Sequence, residues 1–352
     1  MKRDTIAFFC IRDGVNTGRY LEAAASRAGC AVERIDTLRG AGDGRGWRAL
    51  IVVDPCLSSP GALRDMQCPV LGYVIDVHQQ LEVRLRYARY FDYVFVAQPE
   101  YLRQFEALPH RNAHWLPLAC DPQVHFVEGL PRDIDVGFVG KLGPPGSARH
   151  DTLRHVLSRF STNDTGRAYT PAEMGAIYSR SKVVFNRSIN GDVNMRFFEA
   201  LASGALLVTD RIGNGLAQLG IDGEHFVSYE TPEQAVDLVR HYLAHETERA
   251  AIAQRGQAHA FAHHTYDQRW RAIEGTVEAH GSAGAPARQA PPRQEALWRS
   301  QCLRLQGASL GEVGRLVGAG NWSGGLLANV AVAAARGVIR PLRRRLQSAA
   351  RK

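Results

Sequence analysis

Short apolar runs separated by helical stretches fill the first third of the chain. "TIAFFCI", "AVERID", "RALIVVD", "PVLGYVID", "DYVFVAQ" and "HWLPLA" read as strands, and "YLEAAASRAG" carries its apolar positions at helical spacing. "RALIVVD" is apolar at nearly every position, the mark of a strand buried on both faces. Strands alternating with helices in this way predict right-handed βαβ units and a doubly wound parallel sheet.

After "CDPQVHFVEGLPRD" the pattern restarts. "IDVGFVGK" predicts a strand that enters the loop "GPPGSAR", with a helix from about His150. "PAEMGAIYSRS" (helix), "KVVFNRS" (strand), "VNMRFFEALASG" (helix), "ALLVTD" and "HFVSYE" (strands) follow. In "TPEQAVDLVRHYLAH", Thr231 is placed to cap a helix with Pro232 at its first position. The expected organisation is two doubly wound domains, over residues 1–125 and 126–280. A Gly/Ala/Pro linker (281–294) and a basic amphipathic tail (295–352) complete it.

Charge sharpens this division. The formal net charge is +8, but residues 281–352 hold twelve of the Lys and Arg residues and only Glu295 and Glu312 as acids. The body is therefore close to neutral and carries no nucleic-acid footprint. Two readings of the tail stand side by side: an accessory helix packed on the body, or an interfacial anchor drawn to anionic lipid. Cys10, Cys30, Cys56, Cys68, Cys120 and Cys302 form no C-x-x-C pair and no metal-like spacing with histidine. With no export signal or spanning segment apparent, the expected location is cytoplasmic, either free or peripheral on the inner membrane face.

Two facing doubly wound domains place ligands at the carboxyl ends of their strands. The loop "GKLGPPGSAR", from Gly140 to Arg149, leads from a strand to a helix, so its backbone N–H groups, Lys141 and Arg149 can receive a diphosphate. In "NMRFFEALASGALLVTD" the phenylalanines and leucines read as packing. Arg196 and Glu199, three apart, read as one helix face near the end that receives "SINGDVN". There a guanidinium can meet phosphate and a carboxylate can meet ribose hydroxyls; the alternative is an ion pair on a solvated face. "YVIDVHQQ" places Asp76 and His78 on one side of an extended segment, as candidate general bases for an acceptor hydroxyl. "DID" at 133–135 has the form of a metal-binding D-x-D but opens an apolar strand, and no metal is expected.

From about residue 65 to 275 the chain resembles the GT-B glycosyltransferases, in the glycosyl transferases group 1 branch that includes CgeB-like, spore-maturation-type proteins. "GYVIDVHQ", "ARYFDYVFVAQPEYL", "WLPLACDPQVH", "GFVGKLGPPGSAR", "YSRSKVVFNRSINGDVNMRFFEALASGALLVTD" and "HTYDQRW" carry the likeness. The resemblance implies an α/β GT-B fold, two facing Rossmann-like domains with the basic tail appended. It implies a hexosyltransferase-type enzyme moving a sugar from a nucleotide sugar to a glycan, lipid-linked saccharide or protein acceptor, with no cofactor. It matches Glu199 to the ribose carboxylate and Lys141 and Arg149 to diphosphate positions, with Arg196 assisting. Gly140, Asn186, Asn190 and Asn194 complete the expected nucleotide-sugar site, and Asp76, His78 and Asp192 are the catalytic candidates. Related retaining enzymes carry a second glutamate eight positions before the ribose one; here Gly191 stands there, with Asp192 beside it. Two other readings stay open: a nucleotide-sugar epimerase or hydrolase, and a catalytically silent scaffold on the same fold.

Overall fold

A computed structural model describes residues 5–10, 17–38, 42–54, 63–79, 81–108 and 112–280. The linker, the tail and both readings of its role lie outside the described residues. The first sheet takes β1 (Thr5–Cys10), β2 (Ala31–Arg34), β3 (Ala49–Val53), β4 (Val70–Val74), β5 (Tyr93–Val96) and β6 (Ala113–Trp115), in the order β2-β1-β3-β4-β5-β6. Every pairing is parallel. Helices α1 (Thr17–Arg27), α2 (Leu81–Ala88) and α3 (Leu102–Glu106) connect these strands. β3 and β4 are buried along their whole length, as near-continuous apolar runs require.

The second sheet is also parallel, in the order β10-β9-β8-β7, from β7 (Ile134–Gly137), β8 (Ser181–Phe185), β9 (Leu206–Asp210) and β10 (Val227–Tyr229). Its helices are α4 (Pro122–His125), α5 (Ala148–Leu157), α6 (Pro171–Arg180), α7 (Met195–Ala202), α8 (Leu216–Leu219), α9 (Pro232–Ala244) and α10 (Glu246–His263). Helix starts follow local chemistry. Thr231 Oγ1 accepts from the Gln234 N–H at 3.2 Å ahead of α9, and Thr170 with Glu173 forms a reciprocal capping box on α6. Helix α7 ends where Gly204 takes a φ of 69°, and the chain turns straight into β9.

The last described helix, α11 (Tyr266–His280), crosses back and packs on α1 of the first sheet. Three sets of contacts fix this crossover. Cys120 N donates to His264 O at 2.9 Å, and Tyr266 N donates to Cys120 O at 2.9 Å. The buried Arg269 guanidinium donates to the carbonyls of Pro117 (2.8 Å) and Leu118 (3.0 Å). Arg27 of α1 bridges Asp121 (3.0 Å) and Asp267 (2.8 Å). One apolar core therefore runs from Phe8, Tyr73 and Phe95 of the first sheet to Phe197, Phe198 and Trp270. No described helix is long and apolar enough to cross a membrane.

Candidate functional site

A cavity of about 300 Å³ opens between the carboxyl ends of the first sheet and the segment that precedes α7. Asp54 and Asp76 follow β3 and β4 on its first wall, and Ile189, Asp192, Val193 and Asn194 form much of the facing wall. This is where two parallel sheets leave room for a ligand. Asp54 and Asp76 both adopt left-handed backbone, with φ of 45° and 49°. Short acidic side chains tolerate that region, and such residues concentrate at functional sites.

The turn at Asp76 corrects the expectation of an extended segment. The chain leaves β4, bends at Asp76 and enters a 3-10 turn, Val77–Gln79, that carries His78. Asp76 is exposed at the cavity rim, while the His78 side chain is 9% exposed and directed inward. Its Nδ1 lies against Oδ2 of Asp192, which comes from the second domain. The approach is close but not aligned as a hydrogen bond, and both ring nitrogens and Asp192 Oδ2 lack an aligned partner. Asn214 Nδ2 donates to the other carboxylate oxygen at 3.0 Å. Burial raises the Asp192 carboxyl above the usual range, opposed by the neighbouring imidazole.

Asp54 was not among the residues read from the sequence. Arg84 Nη2 donates to its carboxylate at 2.5 Å, and Arg84 Nε donates to Ile75 O at 2.9 Å. Its sequence signal is the ending it shares with Asp76: "RALIVVD" and "PVLGYVID" each close on an aspartate.

The nucleotide-side candidates form a second, adjoining group. Arg196, in the first turn of α7, reaches back to the end of β7. Its Nη2 donates to Val139 O at 2.7 Å, Nη1 to Asn186 Oδ1 at 2.9 Å and Nε to Tyr178 Oη at 3.1 Å, with the guanidinium over the Phe138 ring. Gly140 has a φ of 144°, and a Cβ there would run into the Arg196 guanidinium, so glycine is what permits this close passage. Asn186 is 2% exposed; its amide donates to Thr209 Oγ1 (3.0 Å) and accepts from Arg196 and from Asn194 Nδ2 (3.1 Å). Asn194 occupies the N-cap position of α7 without capping through its side chain, and its Oδ1 has no partner. Asn190 is exposed, with a φ of 54°. Lys141 is exposed, and Arg149 donates to the carbonyls of Arg187, Ser188 and Lys141. Burial, then the charge of Arg196, brings Arg149 down to about 10.

Glu199 departs from the reading of an ion pair on a solvated helix face. It forms no ion pair with Arg196 and is not on a solvated face, being 5% exposed. It faces α4, where His125 Nε2 lies 4.0 Å from Oε1. His125 Nδ1 accepts from the Asp121 N–H at 3.0 Å, so the proton of the neutral ring sits on Nε2, beside Tyr20 Oη at 3.2 Å. Burial pushes the Glu199 carboxyl up to about 7 and the His125 imidazole down to about 4. Of the residues read from sequence, Asp76, His78, Asp192 and Asn194 line the cavity; Gly140, Lys141, Arg149, Asn186, Asn190, Arg196 and Glu199 lie outside its lining.

Asp133 and Asp135 of the D-x-D lie at the start of β7, away from the cleft. They are held by Arg180 (2.5 Å) and Lys182 (2.7 Å). Among the described residues no group of three or more His, Cys, Asp or Glu is placed to hold a metal ion.

The chain was compared with known proteins. Residues 125–275 match a family described as glycosyl transferase-like. A comparison with curated proteins found no match. Among solved structures, Anabaena HepE in complex with UDP and glucose aligns with a TM-score of 0.60 at 12% identity, covering 78% of this chain and 99% of that one. The sucrose-phosphate synthase of Thermosynechococcus elongatus aligns at 0.59 with 13% identity, over 80% and 100%. An alpha-glucosyltransferase in complex with UDP-glucose and DNA containing an abasic site aligns at 0.60 with 10% identity, over 77% and 98%. The chain therefore has the GT-B fold, and its residues 125–275 match the glycosyl transferase-like family.

Proposed function

We propose that this protein transfers a hexosyl unit from a nucleotide sugar to a hydroxyl of a glycan, lipid-linked saccharide or protein, without a metal. The observation that carries the reading is the His78 imidazole, buried in the cleft wall with no aligned protein partner and set against Asp192 of the facing domain. Nδ1 lies against Asp192, which leaves the buried Nε2 without a partner; such a ring nitrogen is costly, and a ligand hydroxyl relieves that cost. The glycosyl transferase-like match and the UDP or UDP-glucose held by two relatives of the same fold support the donor class. The likeness of the run from Tyr178 to Asp210 to CgeB-like proteins supports that branch.

In this reading the acceptor oxygen attacks the anomeric carbon and the bond from that carbon to the diphosphate oxygen breaks. His78 takes the acceptor proton, and Asp192 orients the ring and stabilises the imidazolium that forms. The departing diphosphate meets the open first turn of α7 together with Lys141 and Arg149, so fixed positive charge takes the place of a metal. Glu199 holds the donor ribose once the nucleotide separates it from the His125 side of the seam. Full turnover in excess EDTA is the corresponding expectation; a strict Mn²⁺ or Mg²⁺ requirement contradicts it.

A thermal-shift screen against UDP, GDP, ADP, CDP and their sugar conjugates tests the donor assignment, with Glu199→Ala as control. Stabilisation by one nucleotide family, reduced in the variant, supports the reading. Absence of any shift with every nucleotide counts against it and favours a silent scaffold on this fold.

A further inference from the structure

We infer that the cleft selects an uncharged sugar and refuses one bearing a carboxylate, with Asp54 and Asp76 as the residues that enforce the choice. The inference rests on the proposed donor chemistry and adds to it the class of sugar carried. The segment that leads into α7 forms the second wall of the cavity, so a group attached to a diphosphate at the start of α7 falls into this space.

The charge facing that space is one-sided. Asp54, Asp76 and Asp192 line it, together with His78, and among the described residues no lysine or arginine is part of the lining. Arg84 does not offset this from the ligand's side. The Asp54 side chain is 24% exposed and that of Arg84 only 7%, so the carboxylate presents itself to the cavity and the guanidinium stays behind it. Ile75, Leu118, Ile189, Val193 and Met195 supply most of the remaining wall, and an apolar lining strengthens each electrostatic interaction it surrounds. Sugar hydroxyls donate to carboxylates, giving short charge-assisted bonds. The carboxylate of a uronate has no proton to donate to Asp54 or Asp76, and like charges in a poorly solvated space repel.

The backbone makes the assignment testable. Asp54 and Asp76 occupy left-handed conformations that asparagine also tolerates, so Asp→Asn changes charge with little change of shape. In Asp54→Asn the Arg84 cation behind that wall loses its carboxylate and its charge is no longer balanced.

The test measures dissociation constants of a matched donor pair on the full chain. The nucleotide is the one chosen by the thermal-shift screen: UDP-glucose against UDP-glucuronate for uridine, or GDP-mannose against GDP-mannuronate for guanosine. The free diphosphate serves as reference. In the unaltered protein the uronate is expected to bind about tenfold or more weaker than the hexose, and Asp54→Asn narrows that ratio to about threefold. Equal or tighter uronate binding by the unaltered protein overturns charge selection while leaving the nucleotide reading intact. A ratio that persists in Asp54→Asn and in Asp76→Asn overturns the assignment to these two residues. Failure of every nucleotide to bind overturns the donor reading and this inference with it.

Discussion

His78 and Asp192 belong to different sheets and meet across the cleft, imidazole Nδ1 against carboxylate Oδ2. Neither domain contains the pair alone, so an imidazole oriented by this carboxylate exists only when the two halves are docked. If His78 is the base, His78→Ala lowers kcat by about 10²- to 10⁴-fold and leaves nucleotide affinity within about threefold of the original. Asp192→Asn, which keeps the contact but not the charge, lowers kcat and shifts the acidic limb of the pH–rate profile. Parallel losses in nucleotide affinity and turnover would place both residues in binding instead.

Arg196, at the start of α7, ties together Val139 O beyond β7, Asn186 Oδ1 after β8 and Tyr178 Oη of α6. Arg196→Ala removes one of two donors from both the Val139 carbonyl, which keeps Tyr178 Oη, and the Asn186 amide oxygen, which keeps Asn194, an expected loss of about 1–2 kcal/mol. Arg196→Lys recovers little of it, because one ammonium cannot reproduce the guanidinium fork. Urea unfolding of both variants checks this; an alanine variant within about 0.5 kcal/mol of the original would show that the network carries no stability.

Three buried groups with large shifts, Glu199, His125 and His264, contribute to the response to pH. The folded Glu199 carboxyl sits at about 7 instead of 4.5, because burial disfavours its charge. Between those values the folded state holds a proton that the unfolded chain has lost, so this group removes stability as pH rises from 4.5 to 7. His125 and His264 act in the opposite sense. Burial lowers them from 6.5 to about 4 and about 3, so the unfolded chain binds their protons first and stability falls as pH drops below 6.5. Each proton is worth about 1.4 kcal/mol per pH unit, so two histidines outweigh one carboxyl from pH 5 to 6 and stability rises by about 1.4 kcal/mol. In Glu199→Gln the opposing group is gone and the slope roughly doubles. Urea unfolding at pH 5 and pH 6 measures both slopes, and equal slopes would show that Glu199 does not titrate in this window.

Membrane attachment through the arginine-rich tail gives a separate prediction. If residues 295–352 engage anionic lipid, the full chain sediments with phosphatidylserine vesicles at low salt and a chain ending at residue 280 does not. Equal sedimentation of the two would remove the tail from this role.

Much of the fold was legible because strands buried on both faces must be apolar throughout, as β3 and β4 are. The return of α11 to α1 was not, since it depends on contacts such as Arg269 with Pro117 that join distant segments. Asp76, His78 and Asp192 were legible as residue types, but their meeting depends on a left-handed turn and a docked second domain. Asp54 carries no local sign beyond ending a strand; what marks it is Arg84 behind it and the cavity in front. Arg196 and Glu199 show the limit of spacing arguments. Three residues apart on one helix, they diverge because one finds a carbonyl just beyond β7 and the other the imidazole of His125 in α4.

The most direct test of the central claim is release of nucleoside diphosphate from the nucleotide sugar chosen by the screen, followed with and without candidate acceptor glycans. Release that depends on an acceptor in the unaltered protein, and is lost in His78→Ala while the nucleotide still binds, is the predicted result. Equal release by the two proteins, or none from any nucleotide sugar that binds, would contradict a transferase site built on His78 and Asp192.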